Sequence, residues 1–108
     1  MIEISKDKKT ALEQIASVAL QHLEFINEFG NYMKAESVPA LDDNNKNSIL
    51  IRVEFIGFNF GTTDFYYYLT AGFYEKKLQD NFSEKIYFNV HKIERKIPCC
   101  YFKLGFHE

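Results

Sequence analysis

The 108-residue sequence predicts one α+β domain, a long N-terminal helix packed on one face of a four-stranded antiparallel sheet. Three observations predict it. Apolar residues recur at helical spacing from Leu12 to Ile26, and they alternate at strand spacing through most of residues 49–106. The length supplies material for a single core. Hydrophobic residues make up 46% and charged residues 26%, which places the chain among folded rather than disordered proteins.

The helix is expected over about residues 6–30. Leu12, Ile15, Ala16, Ala19, Leu23 and Ile26 share one face, which Val18, Leu20, Phe25 and Phe29 widen. Glu13, Gln14, Gln21, Glu24 and Glu28 form the opposite, polar side. Thr10 followed by Glu13 matches a capping box, a start near Ser5 is also compatible, and Gly30-Asn31 offers a stop. Ahead of it, Ile2-Glu3-Ile4 has the pattern of a short edge strand, which would make the sheet five-stranded.

Periodicity is lost over about residues 36–48. Pro39 opposes regular pairing, and Asp42-Asp43-Asn44-Asn45-Lys46-Asn47 is turn-forming, so this segment is expected to be a loop. Four strands are expected after it, over about 49–60, 65–74, 85–93 and 98–106. The first reverses phase near Gly57, which a bulge would absorb, and Gly61-Thr62-Thr63-Asp64 supplies a hairpin turn. In the second, Phe65, Tyr67, Leu69, Ala71 and Phe73 alternate with Tyr66, Tyr68, Thr70, Gly72 and Tyr74. In the last two, Ile86, Phe88, Val90, Cys100, Phe102, Leu104 and Phe106 fall on the core side.

Sequential strands with moderate links favour a meander. With the short leading strand, the order resembles the β-α-β-β-β-β plan of cystatin-like folds. The resemblance is one of topology. The glutamine-valine-glycine signature of the cystatin first hairpin is missing after Ile51, so the resemblance implies a fold and not protease inhibition.

A net charge of −2 lacks the basic surplus of a nucleic-acid binder. The opening residues reach Lys6-Asp7-Lys8-Lys9 without an apolar core of the signal-peptide kind, and no apolar run suits a membrane span. Cys99 and Cys100 are adjacent, a poor geometry for a mutual disulfide, and reduced thiols in a cytoplasmic protein are expected.

Little in the sequence carries chemistry. His22 flanks the apolar stripe of the helix and is expected to be a packing residue; His107 belongs to the tail. His91 falls on the Tyr-rich side of its strand, within reach of Glu54 or Arg52 if their strands are neighbours, but no nucleophile accompanies it. Adjacent cysteines do not provide the paired knuckles of a zinc site. The Asp42–Asn45 run lacks the spacing, glycine and closing glutamate of a calcium loop. Neither a cofactor nor a catalytic constellation is expected.

The second face of the sheet is the distinctive feature. Phase assignment puts Arg52, Glu54, Tyr66, Tyr68, Thr70, Tyr74, Tyr87, Asn89, His91, Tyr101 and Lys103 on it. Tyrosine with arginine is the pairing enriched at protein-interface hot spots. Residues 35–65 also carry an acidic excess, including Asp42 and Asp43, suited to a basic partner. The expectation is a non-catalytic protein-binding domain that occludes a protein such as a toxin or nuclease, an inhibitor of the bacterial immunity, antitoxin or anti-defence kind. The expected contact residues are Tyr66, Tyr68, Tyr87, Tyr101, Arg52, His91, Asp42 and Asp43. Neither nucleic acid nor membrane is an expected partner. One alternative is a small-ligand or enzymatic domain with a pocket between helix and sheet. Another is a homodimer joined through the tyrosine face.

Overall fold

The N-terminal apolar stripe folds as predicted into α1 (Lys8–Phe25) in the computed structural model, which describes residues 3–25, 33–38, 48–55, 65–94 and 99–107. Leu12, Ile15, Ala16, Ala19 and Leu23 are all buried in the core. The helix starts one turn before the predicted capping box. Asp7 is the cap, its carboxylate accepting from the Thr10 amide at 3.0 Å and the Thr10 hydroxyl at 2.6 Å. Those two bonds, the hydroxyl's foremost, hold the Asp7 pKa below the ordinary carboxylate value. Glu3 and Ile4 form no strand.

The elements that follow are β1 (Met33–Val38), β2 (Ser48–Phe55), α2 (Phe65–Gln79), β3 (Ile86–Glu94) and β4 (Cys99–Phe106). The α+β class and the four-stranded antiparallel sheet are as expected; the succession is not. Residues 65–74, expected to be a strand, are the first ten residues of a second helix. The fourth strand is instead β1, which occupies residues 33–38 ahead of and inside the expected loop. The bulge near Gly57 and the turn at Gly61–Asp64 lie outside the described residues.

The sheet order is β1-β2-β4-β3, with each neighbouring pair antiparallel. Because β2 and β3 both run antiparallel to β4, they run parallel to each other. A hairpin cannot join parallel strands, so the chain must cross over, and α2 lies in that crossover. The result is not the meander of the cystatin-like plan. β4, last in sequence, sits beside β2 in the middle of the sheet.

The register separates two faces. Ile51, Val53, Phe88, Val90, Cys100, Phe102 and Leu104 point to the inner face, where both helices pack, and one core unites helices and sheet. Phe88 and Phe102 stack there at 4.8 Å between ring centres. His91 is the extra residue of a bulge between the Val90–Phe102 and Lys92–Tyr101 pairs. That insertion reverses the phase of β3, and Ile93 faces inward beside Cys100.

Two polar junctions fix α2. Glu75 accepts from the Phe88 amide at 3.2 Å, and Gln79 accepts from the Ile86 amide at 2.9 Å. Both amides belong to the edge strand β3, so a pair one helical turn apart covers part of an edge that would otherwise template association. At the other junction Asn81 donates through Nδ2 to the Lys77 carbonyl at 3.0 Å and reaches His22 Nε2 at 3.1 Å. A backbone carbonyl only accepts, so this nitrogen is a donor and His22 must be neutral, with its proton on Nδ1.

Burial, and then the Lys77 charge, lower the His22 pKa below its usual 6.5. A depressed base binds a proton less readily folded than unfolded. Its contribution to stability is therefore complete above pH 6.5 and declines as the pH falls below that value. Between pH 7.5 and 5 the wild type should lose more stability in urea titrations than His22→Gln. Equal losses for the two proteins would exclude His22 as the acid-sensitive contact.

Candidate functional site

The sequence of α2, FYYYLTAGFYEKKLQ, is apolar around most of its circumference over the first ten residues. One side follows the helical period. Tyr67, Ala71, Tyr74 and Leu78 are buried against the sheet, and burial pushes the Tyr74 hydroxyl pKa up to about 12. A surface helix normally turns polar residues outward. Here the outward arc holds Tyr68, Leu69, Gly72 and Phe73, with Lys76 and Lys77 following at the C-terminal end. Tyr68 is 61% exposed, Leu69 51% and Phe73 57%, so this is a contiguous apolar surface.

The patch is held in place. The Phe73 ring lies edge-on to buried Tyr74 at 5.2 Å, and the Lys77 ammonium stands 5.4 Å from its centre. Gly72 lies in the middle of the arc. A glycine inside a helix costs about 0.5–1 kcal/mol relative to alanine. No described residue comes within 4 Å of a Cβ added at Gly72, so packing among the described residues does not require the missing side chain.

The outer face of the sheet has a different character. Arg52 lies at its centre on β2, 3.1 Å from Glu36 of β1, ion-paired also with Glu54 and hydrogen-bonded to Tyr101 of β4. The Glu54 hydrogen bond is the main cause that raises the guanidinium pKa above its ordinary value. Lys92 and Glu94 pair at 3.4 Å, and the Tyr87 ring meets His107 edge-on at 5.4 Å. Cys99 is fully buried at this face beside Arg52, and burial raises its pKa against the opposing effect of that charge. Cys100 turns to the inner face, and neither cysteine forms a disulfide. The charges of this face are largely matched by one another.

The expected tyrosine surface is therefore divided. Arg52, Tyr87 and Tyr101 do share the outer sheet face. Tyr66 and Tyr68 belong to α2, in the helical layer on the other side of the sheet, and Tyr74 is in the core. His91 is exposed on the bulge of β3, separated from Arg52 and Glu54 by β4. Asp42 and Asp43 lie outside the described residues. Leu69 and Phe73 were missed: strand phase assigns them to the core, whereas helical phase turns them outward. The available signal was the spacing of Tyr67, Ala71, Tyr74 and Leu78, continued by the helix formers Glu75 to Gln79.

An open groove of about 570 Å³ lies between the first turns of α1 and the ends of β1 and β2, lined by Lys9, Leu12, Glu13, Ser37, Val38, Ser48 and Ile49. It is a surface cleft, with no buried charged side chain to orient a ligand among the described residues. No three His, Cys, Asp or Glu residues among the described ones converge on a point that could hold a metal ion. No helix among the described residues is long and apolar enough to cross a membrane. No protein-family model matches the chain, and no curated protein or solved structure resembles it significantly.

Proposed function

We propose that this chain is a small, non-catalytic protein-binding domain whose contact surface is the outer arc of α2. The observation that carries the reading is the exposure of Tyr68, Leu69 and Phe73 on a helix whose opposite side is already buried. Leaving three large apolar side chains in water has no folding benefit, whereas covering them yields roughly 25 cal/mol per Å². An aromatic-rich patch is also the composition found at interface hot spots.

Within this class we keep the narrower reading, an inhibitor that occludes a toxin or nuclease. Its support is the small domain and the acidic Asp42-Asp43 pair, a charge complement for a basic partner.

The test compares wild type with Leu69→Glu/Phe73→Glu in affinity capture from native-host cells. Both side chains are exposed, so the variant should fold with an unchanged circular dichroism spectrum. A partner that co-purifies stoichiometrically with wild type should bind the variant on the order of a hundredfold more weakly, about tenfold for each anchor. Equal capture by the two proteins would reject α2 as the interface. A captured nuclease or toxin whose activity falls on binding would support the inhibitor reading.

A further inference from the structure

We infer, on the footing that the outer arc of α2 docks a protein, that its occupant is the same arc of a second copy of this chain, crossing antiparallel at Gly72. Two observations point to a helix as the occupant. The apolar residues lie on a helical arc, Tyr68 and Leu69 one turn before Gly72 and Phe73. Gly72 opens a notch at the centre of that arc which no described residue fills. A helix backbone approaches closely where the facing residue has no side chain, so the notch suits the crossing point of a helix pair.

Charge selects a second copy in one orientation. The arc is aromatic toward its N-terminal end, at Tyr68, and basic toward its C-terminal end, at Lys76 and Lys77. A parallel pair would set two lysine pairs side by side. An antiparallel pair about Gly72 places the lysines of one copy over the tyrosine of the other, four residues to either side of the crossing. Lysine over an aromatic ring is a contact this surface already makes, between Lys77 and Phe73. Opposed helix dipoles favour the same orientation. The patch is therefore complementary to itself under two-fold symmetry, as an isologous interface must be. With so few anchors it should form a weak dimer, below the standard interface size.

Sedimentation velocity of the purified full chain at several concentrations tests this. Wild type should pass from monomer to dimer as concentration rises. Leu69→Glu should weaken the dimer by about tenfold or more. Gly72→Leu is the decisive variant, because it adds apolar surface and improves helix propensity on an exposed position where the added Cβ meets no described residue within 4 Å. It should keep the fold, yet weaken the dimer by at least about as much, because the notch is filled. General stickiness would instead be strengthened by the added leucine. A wild type that stays monomeric throughout, or a Gly72→Leu protein that pairs as well as wild type, overturns the inference. If wild type is monomeric but captures a cellular protein that Leu69→Glu does not, the docking role of α2 stands and only self-pairing fails. If neither pairing nor capture depends on Leu69, both fail.

Discussion

Replacing Phe102 with alanine should lower the free energy of unfolding by about 3–5 kcal/mol, a large share of the 5–15 kcal/mol typical of a domain. Phe102 is fully buried on β4, in register with Ile51 of β2 on one side and Val90 of β3 on the other. Its ring stacks on Phe88, nearly parallel at 15°. The site joins strands distant in sequence and belongs to the core both helices cover. Truncation removes both the transfer free energy of the ring and the contacts around the cavity it leaves. Urea denaturation with an unchanged m-value is the measurement. A loss below about 1 kcal/mol would mean that the sheet centre is not where the layers are held together.

Gln79→Ala should cost on the order of 2 kcal/mol, although it removes no core side chain. The Gln79 amide makes three bonds at the end of α2. Its oxygen accepts from the Ile86 amide at 2.9 Å, and its nitrogen donates to the carbonyls of Phe82 at 3.2 Å and Glu84 at 2.8 Å. It thus ties the helix end to the turn and to the first residue of the edge strand. Gln79→Glu should be nearly as harmful despite its similar shape, because a carboxylate cannot donate to two carbonyls. Thermal denaturation of both variants checks this, with hydrogen exchange at Ile86 as a local reading. A Glu variant as stable as wild type would show that only the Ile86 contact matters.

Several elements were legible in the sequence because each alternates between apolar and polar with one period. The stripe of α1 holds only apolar residues on its inner side, and in β4 Phe102 and Leu104 alternate with Tyr101 and Lys103. Such a pattern has one solution in which the apolar set leaves water. β1 was not legible because Ala35 and Ser37 on its inner side contrast little with Lys34 and Glu36. In α2 the difficulty is the reverse. Residues 65–74 are aromatic, aliphatic or small at both parities, so neither parity stands out as polar, and β-propensity favoured the wrong phase.

That one misassignment governs the candidate site. Under strand phase Tyr66 and Tyr68 join Tyr87 and Tyr101, and Leu69 and Phe73 enter the core. Under helical phase each residue turns about 100° from the last, and Tyr68, Leu69 and Phe73 emerge together on the opposite side of the molecule from Arg52 and Tyr101. The sequence by itself determined the class of fold, the N-terminal helix and which residues of β2, β4 and β3 as far as Val90 face inward, because those follow from local periodicity; the bulge that turns Ile93 inward does not. Only the tertiary structure decided that β4 lies between β2 and β3, that a second helix must therefore cross over, and which of its two apolar sides stays in water. Strand order is set by non-local pairing, and a helix that is apolar all round discloses its buried side only when something packs against it.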